Sequence, residues 1–308
     1  MGPPSARAVS AAPAAADSHQ RWVYLALSVQ VLISAGTYLA GKRAMAELPP
    51  ITVVLWRFFV SAAVFALLLL LTKGPKLPPR AELPRVFFLG LLAGPLNQMF
   101  FFYGLAHSTA AHAALLYALT PMGVYLLSLA RGRERVSTRA GAGILTAFSG
   151  VVVLLLGRGL AHAHGSLFGD LLILAAVAAW VVYTTEGKPF AAAVGPVRAT
   201  SWSMIAAALL TLPLAPFAAR PLAVMDASLA ARLCILYLAV LTSVVAYLLW
   251  YYALSRTEAS KVAIFSNLQP AATAVAAWLI LDESLHWELL VGGVLILAGV
   301  RLTQRARV

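Results

Sequence analysis

Charge is scarce in this chain. Of its 308 residues 11% are charged, and only 11 are acidic. A soluble domain usually carries about 25% charged residues. Cysteine is nearly absent. The single Cys234 lies in an apolar run, which excludes an internal disulfide or a CxxC site and reads as packing. Catalytic signatures are missing as well: there is no GxSxG, no HExxH, no Asp-rich pair and no metal-spaced His/Cys cluster. The short GKPF and GRG stretches do not make a phosphate loop. No enzyme chemistry, cofactor or metal is therefore expected. The acidic residues Asp17, Glu47, Glu82, Glu134, Asp170, Glu186, Asp226, Glu258, Asp282, Glu283 and Glu288 all fall at or near the ends of apolar runs. A proton relay or sodium site usually wants a carboxylate at mid-membrane. Its absence predicts gradient-driven movement, or coupling through histidine, for which His112 is the one candidate.

What the chain has is apolar length. Hydrophobic residues make up 61% and mean hydropathy is +0.86. A soluble fold of this size cannot hide so much apolar surface, whereas a bilayer accepts about 20 apolar residues per span. Runs suited to helices cover 22–41, 51–72, 85–106, 109–130, 138–157, 169–187, 197–217, 231–254, 259–281 and 286–303. Backbone groups must be satisfied within each segment, so helices are the natural choice. The expected fold class is an all-α integral membrane protein of ten transmembrane helices. Residues 1–20, rich in Ala, Pro and Ser, read as a disordered tail, 158–168 as a linker, and 304–308 as a basic C-terminal tail.

The basic residues report orientation. With the N-terminus inside, 17 Lys and Arg fall in inner segments and 5 in outer ones, with Arg57 near a helix end. This bias places both termini in the cytoplasm of a multi-pass plasma (inner) membrane protein. The net charge of +12 is thus a topology signal. With no nucleic-acid motif beside it, no nucleic acid partner is expected.

The chain also repeats itself. Shifted by 149 residues, Tyr103 meets Tyr252, Pro121 meets Pro270, Glu134 meets Glu283, Gly143 meets Gly292 and Gly150 meets Gly299. Near the start of each half the shift is 146: Gly41-Lys42 meets Gly187-Lys188, Pro50 meets Pro196 and Trp56 meets Trp202. The halves are 21–157 and 169–303. Each holds an odd number of spans, so the second must enter the membrane from the opposite face. Ten helices as two inverted five-helix repeats point to a secondary transporter, with its site near the midplane between the halves.

At these residues the chain resembles the EamA-type branch of the drug/metabolite transporter superfamily. The resemblance rests on "RFFVSAAVFALLLL" after Pro49-Pro50, on "LLAGPLNQMFFFYGLAHSTAAHAALLYALTPMGVYLLSLARGRERV" and "GDLLILAAVAAWVVYT", and on "SVVAYLLWYYALSRTEASKVAIFSNLQPAATAVAAWLILDESL" in the second half. Arg57 also fits that branch. Its repeat counterpart is Ser203, so the charge is not symmetric. The resemblance implies export of amino acids or related small metabolites through a central cavity by alternating access. The wealth of aromatic residues is similar to YddG-like aromatic amino acid exporters, which favours a neutral or aromatic amino acid as substrate. The expected partners are that solute and the lipid bilayer, with a monomer as the assembly. Alternatives stay open. A lipid-carrier or nucleotide-sugar flippase of the same fold would need basic groups inside the spans, where only Arg57 is available. A non-transporting receptor or enzyme would not need an inverted repeat.

Polar residues inside the spans are the first site candidates, since each costs about 1–3 kcal/mol if left unpaired. Asn97 and Gln98 sit in the third run, Ser266, Asn267 and Gln269 in the ninth, and Gln30, Ser34, Thr37 and Tyr38 in the first. Any one of them is more often a helix–helix hydrogen bond; as a set they predict a polar cavity. Trp180 and Tyr183 lie one turn apart, and Tyr247 and Tyr251 share a helix face. Phe102, Tyr103, His112 and Tyr117 complete the predicted lining. Rings with a few hydroxyls and amides suit an amphipathic solute. Trp22, Trp56, Trp202 and Trp287 fit an interfacial belt instead. Pro121 and Pro270 are matched hinge candidates, because proline breaks a helical hydrogen bond. Glu134 and Glu283 are expected to cap helix starts.

Overall fold

A computed structural model describes residues 13–131, 138–156, 163–218, 222–256, 262, 265, 268–283 and 286–305. The described secondary structure is helical: α1 (Pro13–Met45), α2 (Pro50–Leu71), α3 (Arg80–His107), α4 (Ala110–Tyr117 continuing as Thr120–Ala130), α5 (Thr138–Leu156), α6 (Ala163–Val194), α7 (Pro196–Phe217), α8 (Leu229–Leu254), α9 (Gln269–Leu281) and α10 (Trp287–Arg305). Seven of the described helices hold a segment long and apolar enough to cross a membrane: α1 from Arg21, α2, α3, α4 to Leu127, α6 from Leu167, α7 and α8. Gly141–Val153 within α5 and the whole of α9 are shorter apolar helices. The outer surface carries Leu32, Phe59, Leu67, Leu70, Leu145 and Val294, all exposed. Each such side chain forgoes about 1.5–3 kcal/mol of burial in water, a loss that lipid removes. The chain is a multi-pass membrane protein.

Local chemistry sets the helix ends. Proline opens α2, α7 and α9 within their first turn, where its missing N–H costs nothing. Ser228 caps α8 by accepting from the Ala231 amide at 3.2 Å. Thr109 accepts from the His112 amide at 3.2 Å. The Glu283 carboxylate takes the amides of Ala110 and Ala111 at 3.0 and 3.4 Å, as its sequence position at the end of α9 suggested, though it caps a helix of the other half. Gly195, at φ 89°, makes the tight turn from α6 to α7, a conformation that favours glycine.

Two segments depart from the sequence reading. Helix α1 begins at Pro13, inside the stretch expected to be a tail, and α6 begins at Ala163, inside the expected linker. The α1 extension starts among three alanines, Ala14 to Ala16, the best helix formers. Glu134, Ser266 and Asn267 lie outside the described residues.

Helix ends gather into two groups. In one, Lys42 donates to the Ser108 carbonyl, Ser108 donates to Asp170, and Glu47 accepts from the Ser228 amide and hydroxyl at 2.8 Å each. Here α1 and α3 end where α4, α6 and α8 begin. In the other, Arg131 pairs with Glu186, Arg198 donates to the Lys73 carbonyl at 3.0 Å, and the Trp202 indole donates to the Lys76 carbonyl at 2.8 Å. Trp202 is therefore an inward, pinned residue, whereas Trp22 and Trp287 are exposed as a belt requires.

The repeat reappears as packing. Gly41 of α1 lies against Phe102 and Leu105 of α3. Its counterpart Gly187 of α6 lies against Tyr251 of α8, the residue matched to Phe102. Helices α5 and α10 form a seam of small residues. A Cβ added to Gly150 would stand 2.7 Å from the Gly292 carbonyl oxygen, and one on Gly299 would stand 2.5 Å from that of Gly143. Rising numbers on α5 thus meet falling numbers on α10, so these two matched helices run antiparallel.

Both α3 and α8 contain a wide π-helical stretch, Leu92–Met99 and Tyr237–Ala246. With the 149-residue shift the two overlap. Pro95 removes a donor within the first. In the second, the Ser243 hydroxyl reaches back five residues to the Leu238 carbonyl at 3.0 Å. Such stretches are rare and often mark functional sites.

Candidate functional site

A cavity with about 660 Å³ of empty space, counted out to the open medium, lies between the two halves. Its wall is drawn from α1, α2, α3, α4, α6, α8 and α9. Eight of the residues expected from sequence line it: Gln30, Ser34, Tyr38, Asn97, Gln98, Tyr117, Trp180 and Tyr247.

The rest of the expected set is placed otherwise. Tyr183 and Tyr251 stand behind the wall, their ring centroids 5.6 Å apart, with Tyr183 6.1 Å from Tyr247. Phe102 is buried, 5.1 Å from Phe101, which takes the lining position. Tyr103 is 37% exposed on the outer surface. His112 is buried away from the cavity, its Nδ1 3.3 Å from Asp170 Oδ2. Asp170 also accepts from Ser108, so this carboxylate is buried although it lies near a span end. The pair ties α4 to α6. Both hinge candidates sit at breaks. Leu119 and Leu268, matched under the repeat, are the turn residues before the second piece of α4 and before α9. The Tyr117 carbonyl, which Pro121 cannot reach, accepts from the Thr120 hydroxyl at 2.7 Å.

Sequence reasoning left Arg57, Phe101, Thr120, Thr242, Ala246 and Trp250 out of the lining set. It had noted Thr37 and Gln269, which also line the cavity. The repeat could have found two of them, Ala246 from Asn97 and Thr120 from Gln269. Asn97 and Ala246, Gln98 and Tyr247, Phe101 and Trp250, and Thr120 and Gln269 are mates at the 149-residue shift, and Ser34 and Trp180 at 146. All ten line the cavity. The scaffold is matched; the chemistry is not. The first half supplies Asn97 and Gln98 where the second supplies Ala246 and Tyr247.

A continuous polar chain runs through the first half. Arg57, 1% exposed and about 10 Å along α2 from Pro50, donates from Nε to Ser243 Oγ at 2.6 Å and from Nη1 to Gln98 Oε1 at 2.6 Å. It thereby joins the two π-helical stretches. Gln98 donates to Asn97. Asn97 Nδ2 donates to the Tyr117 hydroxyl at 2.8 Å and to the Ala176 carbonyl at 2.7 Å. The Thr37 and Thr242 hydroxyls share a bond of 2.9 Å between α1 and α8. Opposite stand the rings. Trp180 lies 5.3 Å from Tyr247, edge to face, and 5.9 Å from Trp250. Among the described residues no group of His, Cys, Asp and Glu could hold a metal ion.

The EamA-like transporter family matches the chain twice, over residues 21–156 and 167–304. The chain belongs to the EamA-like transporter family. Among its relatives, a protein of Archaeoglobus fulgidus named only as an uncharacterized transporter is 30% identical over 288 residues, 94% of this chain and 100% of that protein. A second from the same organism and of the same description is 31% identical, over 91% of this chain and 96% of that one. A probable terminal-alkyne amino-acid exporter of Streptantibioticus cattleyicolor is 30% identical over 75% of this chain and 76% of its own length. A solved crystal structure shares the fold with a TM-score of 0.64 at 20% identity, covering 91% of this chain and 95% of that one. This EamA-like protein is thus a transporter of small molecules in a membrane, not an enzyme.

Proposed function

We propose that the protein exports amino acids, neutral and aromatic ones favoured, through this cavity by alternating access. The observation that carries the reading is the lining: matched positions of the two repeats converge on one space, polar on one side and aromatic on the other. We propose further that ten helices cross the membrane as two inverted halves, 21–157 and 169–303, with both termini cytoplasmic. The antiparallel seam of α5 and α10 and the shared ends of α1 and α3 with the starts of α6 and α8 support the inversion. The excess of inner Lys and Arg supports the orientation. An amino-acid exporter among the relatives supports the substrate class.

Proteoliposome flux tests the reading. Efflux of labelled phenylalanine, challenged with Trp, Thr, Met, nucleosides and sugars, should be inhibited by the amino acids alone. Trp180→Ala or Tyr247→Ala removes a ring from the wall and should slow flux at least tenfold with little loss of folded yield. Normal flux in both variants rules out the cavity as the pathway.

A further inference from the structure

We propose that the cavity binds its solute as a carboxylate anion on the guanidinium of Arg57, and that the amino group of an amino acid is not required. The proposal rests on the transport reading above and names what the site recognises. Arg57 lines the cavity and is buried. Two of its five N–H donors are taken by Ser243 and Gln98, both neutral. Among the described residues Nη2 has no acceptor and no carboxylate pairs with this cation. The described acids that make contacts are engaged at helix ends: Glu47 with Ser228 and Arg43, Glu82 with Arg85, Asp170 with His112, Glu186 with Arg131, and Glu283 with the start of α4. A buried charge without a counter-charge is strongly unfavourable. A planar carboxylate is the partner that a guanidinium fork fits best.

The rest of the wall narrows the class. Among the described residues Arg57 is the only charged one lining the cavity, so a monoanion matches it and a phosphate dianion does not. The Arg57–Gln98–Asn97–Tyr117 chain fixes the anion end in the first half. Trp180, Tyr247 and Trp250 offer faces and edges to an apolar body in the second. Among the described residues no lining carboxylate awaits an ammonium group. A zwitterion would bring a second positive charge beside Arg57, whereas a simple aryl carboxylate leaves the site neutral.

The test uses the full chain. Its tryptophan fluorescence, with Trp180 and Trp250 at the cavity, reports binding in detergent, and phenylalanine counterflow in proteoliposomes reports transport. The probes are phenylalanine, 3-phenylpropionate, phenethylamine, phenylalaninamide and phenyl phosphate. 3-Phenylpropionate should bind and compete as well as phenylalanine or better. The two amines without a carboxylate should be at least 100-fold weaker, and phenyl phosphate weaker than 3-phenylpropionate. Arg57→Gln should abolish the preference for carboxylate over amide, and Arg57→Lys should keep part of it. If Arg57→Gln does not fold, the probe series on the native chain decides. Amines equal to carboxylates, preference for phosphate, or no binding of 3-phenylpropionate overturns the proposal. Carboxylate binding without phenylalanine flux would count against the amino acid reading and leave the anion preference standing.

Discussion

Adding one methyl group to Gly299 should destabilise this protein, although the same change in an open helix does the opposite. In α10 the new Cβ would stand 2.5 Å from the Gly143 carbonyl oxygen and 2.8 Å from the Ala147 Cα. Ordinary contact needs about 3.5–4 Å, so α5 must shift by about 1 Å. The atoms in the way are backbone and cannot rotate aside. Overpacking of this kind costs about 1–3 kcal/mol. Replacing glycine by alanine inside a helix returns about 1 kcal/mol of propensity. The balance is a loss of about 0–2 kcal/mol, centred near 1. Gly141, on α5, is the internal control: a Cβ there meets nothing within 4 Å, so Gly141→Ala should keep the whole propensity gain. One kcal/mol moves the midpoint of a domain of 150–250 residues by about 2–4 °C. Thermal unfolding in detergent, followed by the fluorescence of the seven tryptophans, should therefore show a midpoint lowered by about 2–4 °C for Gly299→Ala and raised by about 2–4 °C for Gly141→Ala. If the two substitutions move it in the same direction, α5 and α10 do not pack as described.

Two smaller effects accompany this one. Hydrogen bonds from the Ser228 backbone and hydroxyl, with Arg43 adding attraction, hold the Glu47 carboxyl below its usual range. A lowered folded value means that its contribution is present above the unfolded pKa and is lost as pH falls through the folded one. The midpoint difference between the native chain and Glu47→Gln should accordingly be seen at pH 7, shrink below about pH 4.5, and vanish in stronger acid. A difference independent of pH would refute the linkage. Among the described residues the buried Thr273 hydroxyl has no partner, so Thr273→Val, of nearly equal shape, should raise the unfolding midpoint by the equivalent of about 1 kcal/mol; a lowered midpoint would mean that the hydroxyl is satisfied.

What was legible in the sequence depended on residue type. Pro121 and Pro270, Gly150 and Gly299 announce the repeat because proline and glycine have backbone consequences that Leu and Ala lack. Asn97, Gln98, Trp180 and Tyr247 announce the cavity because a polar or ring-bearing residue deep in an apolar run needs a reason. Phe101 and Trp250 carry rings too, but in the runs FFFY and WYY nothing singles out which ring faces inward. In a helix that is apolar all round, facing lipid and facing the interior look alike, and Tyr103 and Phe101, two residues apart, point to opposite fates. Arg57 was set aside as lying near a helix end, yet it is buried and joins the two halves. Only the tertiary structure brings Ser243 and Gln98, far off in sequence, to receive it. The early start of α1 lay in an alanine-rich stretch where composition favoured disorder and propensity favoured helix; that of α6 lay in a Gly- and His-bearing stretch with no such signal. The π-helical stretches could not be read at all, since a wide turn is chosen by what the helix packs against.

Those wide turns alter what one rod can do. An α-helix advances about 100° per residue, so an extra residue absorbed in a turn throws the two ends of the rod out of phase. In α3 the lower part keeps Gly90 and Gly94 against Ala206 and Ala207 of α7, while the upper part turns Asn97, Gln98 and Phe101 to the cavity. The same slip recurs in α8. Each half thus carries one helix whose two ends show different faces, one set against its neighbours and one set to the cavity.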